Sequence, residues 1–131
     1  MNSRFRFQLY LILLIVFTVL LAVLSLRSFS SPPQIFSSQD KIGHFIAYAL
    51  TSWLACQVIG DRLRRVASLI IAFLYASITG AVLELLQAQF TVSRQGEWAD
   101  LLANLLGALT GCVIFSLRQR SKSSHECNEA D

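Results

Sequence analysis

The chain has 131 residues, of which 54% are hydrophobic and only 15% are charged. A typical soluble domain carries about 25% charged residues. The 11 basic and 8 acidic residues are concentrated at the start of the chain, near residues 61–65 and after residue 117. Apolar segments of membrane-spanning length, about 17–25 residues each, lie between these groups. This pattern predicts a multipass membrane protein and excludes a secreted disulfide scaffold, a disordered chain and a soluble nucleic-acid binder.

Four apolar spans are predicted along the chain. The first, Phe7–Leu26, follows Arg4 and Arg6 and contains no charge. Its length exceeds the roughly 7–15-residue apolar core of a signal peptide, so we predict an uncleaved anchor. The serines and prolines of Ser28–Gln39 predict a loop. The remaining spans are predicted at Ile42–Ile59, Val66–Leu86 and Trp98–Leu117.

The basic residues predict how these spans are oriented. With four spans both termini lie on one side, and eight of the 11 basic residues would share that side. Short loops rich in Lys and Arg stay in the cytoplasm. We therefore predict an all-α membrane protein, a four-transmembrane-helix bundle with both termini cytoplasmic. Residues 1–39 would form the anchor and an outer loop, 40–117 a three-helix core, and 118–131 a flexible cytoplasmic tail.

Polar residues recur at helix-turn spacing near the predicted outer ends of the last three spans. Residues three or four apart share one face of a helix. Ionisable groups within a membrane are costly and mark function by default, so we expect these pairs to converge in one pocket. Gly107 and Gly111 form a GxxxG pattern that allows a neighbouring helix to approach closely. The first span is expected to contribute little to the polar seam between the other three spans. The three pairs are Asp40 and His44, Glu84 and Gln87, and Asp100 and Asn104.

These polar elements resemble the VanZ-like family of small bacterial multipass membrane proteins, named after a member linked to resistance to the glycopeptide teicoplanin. The resemblance covers residues 40–111 and is carried by DKIGH at 40–44, ELLQ at 84–87, and an arginine at 94 followed by polar residues and glycines. It implies a place in the bacterial cytoplasmic (inner) membrane, facing the cell envelope. It assigns no particular activity and no role in antibiotic resistance. The motif residues are Asp40, Lys41, His44, Glu84, Gln87, Arg94, Asp100 and Asn104.

The predicted function is to bind or act on a cell-envelope component or lipid head group in an outer-leaflet polar pocket. In a binding role, cationic side chains would hold an anionic head group. The binding residues would be Lys41, Gln87, Arg94 and Asn104. In an envelope enzyme, a carboxylate would orient His44, and Glu84 would act as a general acid. The catalytic residues would be Asp40, His44, Glu84 and Asp100.

Other roles for the same residues stay open. A proton- or ion-linked transporter could use Asp, Glu and His, but the inner halves of the spans have few polar residues unless a homo-oligomer supplies them. The acidic residues and His44 are chemically suitable metal ligands, yet their spacing fixes no coordination geometry, and no cofactor is predicted. The cysteines, Cys56, Cys112 and Cys127, are odd in number and absent from the outer loops, so no disulfide is predicted.

Overall fold

The computed structural model describes residues 2–26, 39–90 and 98–128 of the chain. Each helix is long and apolar enough to cross a membrane. The predicted helical, multipass architecture is therefore confirmed for this part of the chain. The predicted loop Ser28–Gln39 lies outside the described residues except for Gln39, which begins α2. Residues 91–97, predicted to be part of an outer loop, also lie outside them. The helices are α1 (Ser3–Leu26), α2 (Gln39–Ile59), α3 (Arg65–Phe90) and α4 (Trp98–Asn128).

The helices are longer than the predicted apolar spans. Residues 87–90 were expected to begin an outer loop, but they continue α3. α4 runs to Asn128, past the predicted end at Leu117 and into the segment expected to be a flexible tail. The reason is that hydropathy marks the membrane-embedded segment and not the end of the helix. Residues such as Arg, Gln, Lys and Glu extend a helix readily in water.

Acidic residues occupy the first turns of α2 and α4. These are Asp40 and Asp100. The first N–H groups of a helix lack partners within it, and the helix dipole is positive there, so a carboxylate at this position is stabilised. Both acids therefore suit the helix starts on which they lie, and those starts bring them to the same end of the molecule.

α2 and α4 are in backbone contact. A Cβ atom added at Gly107 would collide with the carbonyl oxygen of Phe45, and one at Gly111 with the carbonyl oxygen of Ala49. The prediction that both glycines face a neighbouring helix is confirmed, and that helix is α2. Any larger residue at either position would push the two helices apart.

α1 packs against α2 and α3 along the apolar part of the molecule. The rings of Tyr10 and Trp53 meet edge to face, with centroids 6.1 Å apart. The hydroxyls of Thr18 and Tyr75 lie 2.9 Å apart, linking α1 to α3. Large side chains on the other faces of α1 are exposed, as expected for a helix in contact with lipid.

Arginines meet at one end of the molecule, which we call the basic end. This end joins the start of α1, the turn between α2 and α3, and the later part of α4. The contacts are an Arg6–Asp61 ion pair of 4.0 Å, the Arg62 guanidinium 3.4 Å above the Phe7 ring, and hydrogen bonds from Arg65 to the carbonyl and hydroxyl of Ser116.

The α2–α4 contact yields a stability prediction. Gly107→Ala should destabilise the protein by about 1–3 kcal/mol, because the added methyl group overlaps the Phe45 carbonyl. Reversible denaturation in detergent micelles, followed by helical circular dichroism, measures the change. Gly43→Ala is the matched control, since a Cβ there meets nothing within 4 Å. If Gly107→Ala is as stable as Gly43→Ala, the close contact is absent.

Candidate functional site

Five polar side chains from α2, α3 and α4 gather at the end of the molecule opposite the basic end. They come from the start of α2, the last part of α3 and the start of α4, as the predicted pairs required. We call this group the polar cluster. Its members are Asp40, His44, Glu84, Asp100 and Asn104.

The imidazole of His44 is the centre of the polar cluster. Its Nδ1 lies 3.0 Å from Oδ1 of Asn104 on α4 and 3.5 Å from Oε1 of Glu84 on α3. Its Nε2 lies 4.0 Å from Oδ1 of Asp40, one turn earlier on α2. One ring therefore contacts all three helices, which confirms the predicted convergence. The catalytic or binding roles of these residues stay predictions.

The side chains of the polar cluster differ in how deeply they are buried. Asn104 is fully buried, and Asp100 is also buried. The side chains of His44 and Glu84 are only 13% and 12% exposed, whereas that of Asp40 is 34% exposed. Buried ionisable groups are tolerated only when they are paired or hydrogen-bonded, and the contacts around His44 meet that requirement. The cluster therefore reaches the surface at Asp40.

Asn104 fits between α2 and α3 because Gly80 leaves room for it. A Cβ at Gly80 would lie 3.0 Å from Nδ2 of Asn104 and 3.1 Å from the Tyr48 ring. Nδ2 makes no hydrogen bond within the described part of the chain. A buried donor without a partner costs about 1–3 kcal/mol, so an asparagine here needs a compensating contact. The hydrogen bond between its amide oxygen and the His44 ring is that contact.

A cavity of about 280 Å³ adjoins the polar cluster. One wall belongs to the end of α1 and is mainly apolar, while the other belongs to the start of α2 and carries the polar groups. The cavity therefore offers both an apolar and a polar surface to a ligand. Its lining residues are Leu21, Leu24, Ser25, Asp40, Gly43, His44, Ala47 and Tyr48.

The expectation that the first span contributes little to this region is wrong. α1 forms one wall of the cavity, and its Ser25 carbonyl accepts a 3.0 Å hydrogen bond from Nε2 of Gln87 on α3. The last four carbonyl groups of a helix lack partners within it. A largely apolar span thus still presents backbone acceptors at its end, and a buried amide from the neighbouring helix uses one.

The four predicted binding residues have different surroundings. Asn104 is part of the polar cluster. Gln87 is buried and joins α3 to α1. Lys41 is half-buried in the first turns of α2, next in sequence to Asp40. Arg94 lies outside the described residues.

Tyr48 belongs to this site but was not predicted from the sequence. Its ring lies nearly parallel to that of His44, at an interplanar angle of 11° with centroids 6.4 Å apart. It is buried and lines the cavity. Its position four residues after His44 could have indicated this, because residues at this spacing are neighbours on one face of a helix.

The contact between His44 and Asn104 can be tested by a double-mutant cycle. We expect His44→Ala and Asn104→Ala to be coupled by roughly 0.6–1.7 kcal/mol, as found for hydrogen bonds between membrane helices. Unfolding of the two single variants and the double variant in bicelles gives this value. A second cycle pairs His44→Ala with Thr110→Ala, whose hydroxyl bonds within its own helix to the Leu106 carbonyl. Equal coupling in both cycles would contradict a direct contact.

Comparisons of this chain with protein-family models, curated protein sequences and solved structures find no match. The resemblance to the VanZ-like family therefore rests on the order and spacing of its own polar motifs and stays a prediction.

Proposed function

We propose that this chain is a VanZ-like protein of the bacterial inner membrane that binds or acts on a cell-envelope component or a lipid head group. The proposed site is the polar cluster together with the cavity beside it. Two features support this: the ordered polar motifs of residues 40–111, and their arrangement around the His44 ring.

The observation that carries the proposal is the two-sided lining of the cavity. Leu21 and Leu24 of α1 face one side, and Asp40 and His44 of α2 line the other. Ligand sites are mostly apolar, with a few polar groups that fix orientation. A lipid or lipid-linked precursor has both parts, an apolar chain for the leucines and a polar head group for the cluster.

The proposed location is the outer leaflet, with both termini in the cytoplasm. The basic end joins the start of α1, the α2–α3 turn and α4 through arginine contacts. Basic residues near the ends of spans are retained in the cytoplasm. The polar cluster lies at the other end and would therefore face the envelope. Lys41 and Arg94 are the residues proposed to bind a phosphate or carboxylate of the head group.

A membrane-embedded enzyme is the second candidate, and the surroundings of His44 favour it. A carboxylate lies on each side of the ring, Glu84 at 3.5 Å from Nδ1 and Asp40 at 4.0 Å from Nε2. Such a carboxylate can orient an imidazole for proton transfer, and a second one can act as an acid. Binding and chemistry would then use the same cavity in succession.

Topology gives the first test. A reporter active only outside the cytoplasm, fused after Arg120, should be inactive, and the same reporter inserted within residues 28–34 should be active. The reason is the retention of the basic end on the cytoplasmic side. Measuring reporter activity against the amount of each fusion decides the orientation. Activity of the fusion after Arg120 would place the polar cluster in the cytoplasm and contradict an envelope ligand.

Lipid binding gives the second test. The purified chain is placed in vesicles of phosphatidylethanolamine and phosphatidylglycerol that contain a photoreactive phospholipid. Leu21→Trp should lower labelling about tenfold or more, which corresponds to a loss of at least ~1.4 kcal/mol, because indole fills the cavity. Leu20→Trp is the matched control, since Leu20 is exposed on the same helix and does not line the cavity.

The same experiment separates the two candidates. In a binding protein, His44→Ala should reduce lipid labelling, and it should also fail to restore the phenotype of cells that lack the chain. Restoration of that phenotype is the measure of cellular function. In an enzyme, Glu84→Gln should abolish cellular function at an unchanged membrane level while labelling persists. Equal labelling of Leu21→Trp and Leu20→Trp would contradict a lipid ligand in this cavity.

A further inference from the structure

Three potential metal ligands from two helices lie close together in the polar cluster. Asp40 and His44 lie on successive turns of α2, and Asp100 lies in the first turn of α4. One ligand atom from each residue lies within 4.8 Å of the other two. Two atoms bound tetrahedrally to the same zinc ion at about 2.0–2.2 Å are roughly 3.5 Å apart. Side-chain shifts of roughly 1–1.5 Å would therefore bring all three atoms into coordination range.

The orientation of the His44 ring suits a metal ligand. Its Nδ1 faces Oδ1 of Asn104 and Oε1 of Glu84, two oxygen atoms that can accept a hydrogen bond from it. In that arrangement Nε2 is the ring nitrogen left to bind a metal ion, and it lies on the side of Asp40. Metal-bound histidines characteristically donate their other ring N–H to a carboxylate or carbonyl in this way.

We propose that Asp40, His44 and Asp100 bind one divalent transition-metal ion of the zinc class, with Glu84 and Asn104 orienting the histidine. Three protein ligands leave one coordination position open, as in catalytic zinc sites. The cavity, which Asp40 and His44 line, gives access to that position.

Charge also supports an ion at this place. The polar cluster gathers three carboxylates around one imidazole, and these alone would repel a phosphate or carboxylate head group. A divalent cation reverses the local charge and polarises an oxygen that binds to it. This step rests on the proposed function, since it assigns the open position to an anionic oxygen of the head group. The binding of the ion itself does not require it.

The ligand set distinguishes between classes of ion. Mg²⁺ and Ca²⁺ take oxygen ligands, usually six or more for Ca²⁺, whereas imidazole suits Zn²⁺ and its neighbours in the periodic table. A site that includes His44 should therefore bind Zn²⁺ in the presence of a large excess of Mg²⁺ and Ca²⁺.

The experiment uses the purified full chain in detergent micelles, stripped with a chelator and titrated with Zn²⁺ by calorimetry. We expect one ion per chain. Asp100→Asn and His44→Ala should weaken binding by more than the roughly 10–100-fold that follows loss of an outer-shell partner, and Glu84→Gln should fall within that range. Asp61→Asn is the matched control, because that carboxylate is exposed and lies at the basic end. Titration with Co²⁺, whose visible spectrum reports ligand geometry, provides a readout that needs no substrate.

The outcomes separate this inference from the proposed function. Failure of the wild-type chain to bind Zn²⁺, equal affinity of Asp100→Asn and Asp61→Asn, or displacement by Mg²⁺ would each overturn the metal site. If lipid labelling is lost in Leu21→Trp and the wild-type chain binds no Zn²⁺, the proposed function holds and the metal site is wrong. If Zn²⁺ binds as expected and Leu21→Trp labels like Leu20→Trp, the metal site holds and the lipid ligand is wrong.

Discussion

The backbone contact between α2 and α4 is the interaction on which the polar cluster depends. Gly107 lies against the Phe45 carbonyl, and that contact fixes the separation of the two helices. His44 directly precedes Phe45, and Asn104 lies one turn before Gly107, so the same contact sets their 3.0 Å separation. A methyl group at position 107 would move the helices apart and lengthen this hydrogen bond. The glycine pattern therefore determines the geometry of the polar cluster as well as the packing of the helices.

The two polar ends of the molecule differ in what their contacts contribute. The Arg6–Asp61 pair is long and partly exposed, and ion pairs at the surface stabilise a protein by about 0–1 kcal/mol. The basic end is instead the basis of the proposed topology, because basic residues near the ends of spans are retained in the cytoplasm. At the other end the polar groups are buried, so any of them that lost its hydrogen-bond partner would be costly. The distances between these groups are therefore strongly constrained. Buried and constrained polar groups are where specific recognition and proton transfer are expected.

Much of this arrangement followed from residue spacing. Spans of sufficient length, pairs such as Asp100 and Asn104 at helix-turn intervals, and the GxxxG stripe predicted four helices and a convergent cluster, because helical periodicity fixes which side chains share a face. Backbone acceptors leave no such trace, so the bond from Gln87 to the Ser25 carbonyl could not be foreseen. Nor could the extent of α4, since hydropathy reports the surrounding solvent and polar residues continue a helix in water.

The unforeseen role of α1 changes how the site is understood. The polar cluster is built by α2, α3 and α4, and these helices alone would expose Asp40 and His44 directly to lipid or water. With the end of α1 beside them, the same groups line a cavity whose other wall is made of leucines. The Gln87–Ser25 bond holds that wall to the helix that carries Glu84. Among the described residues, the other polar side-chain contacts of α1 lie farther from the cavity, at Thr18 and at the basic end. The lipid ligand that we propose would therefore enter between α1 and α2 rather than through the α2–α4 contact, where the two backbones touch.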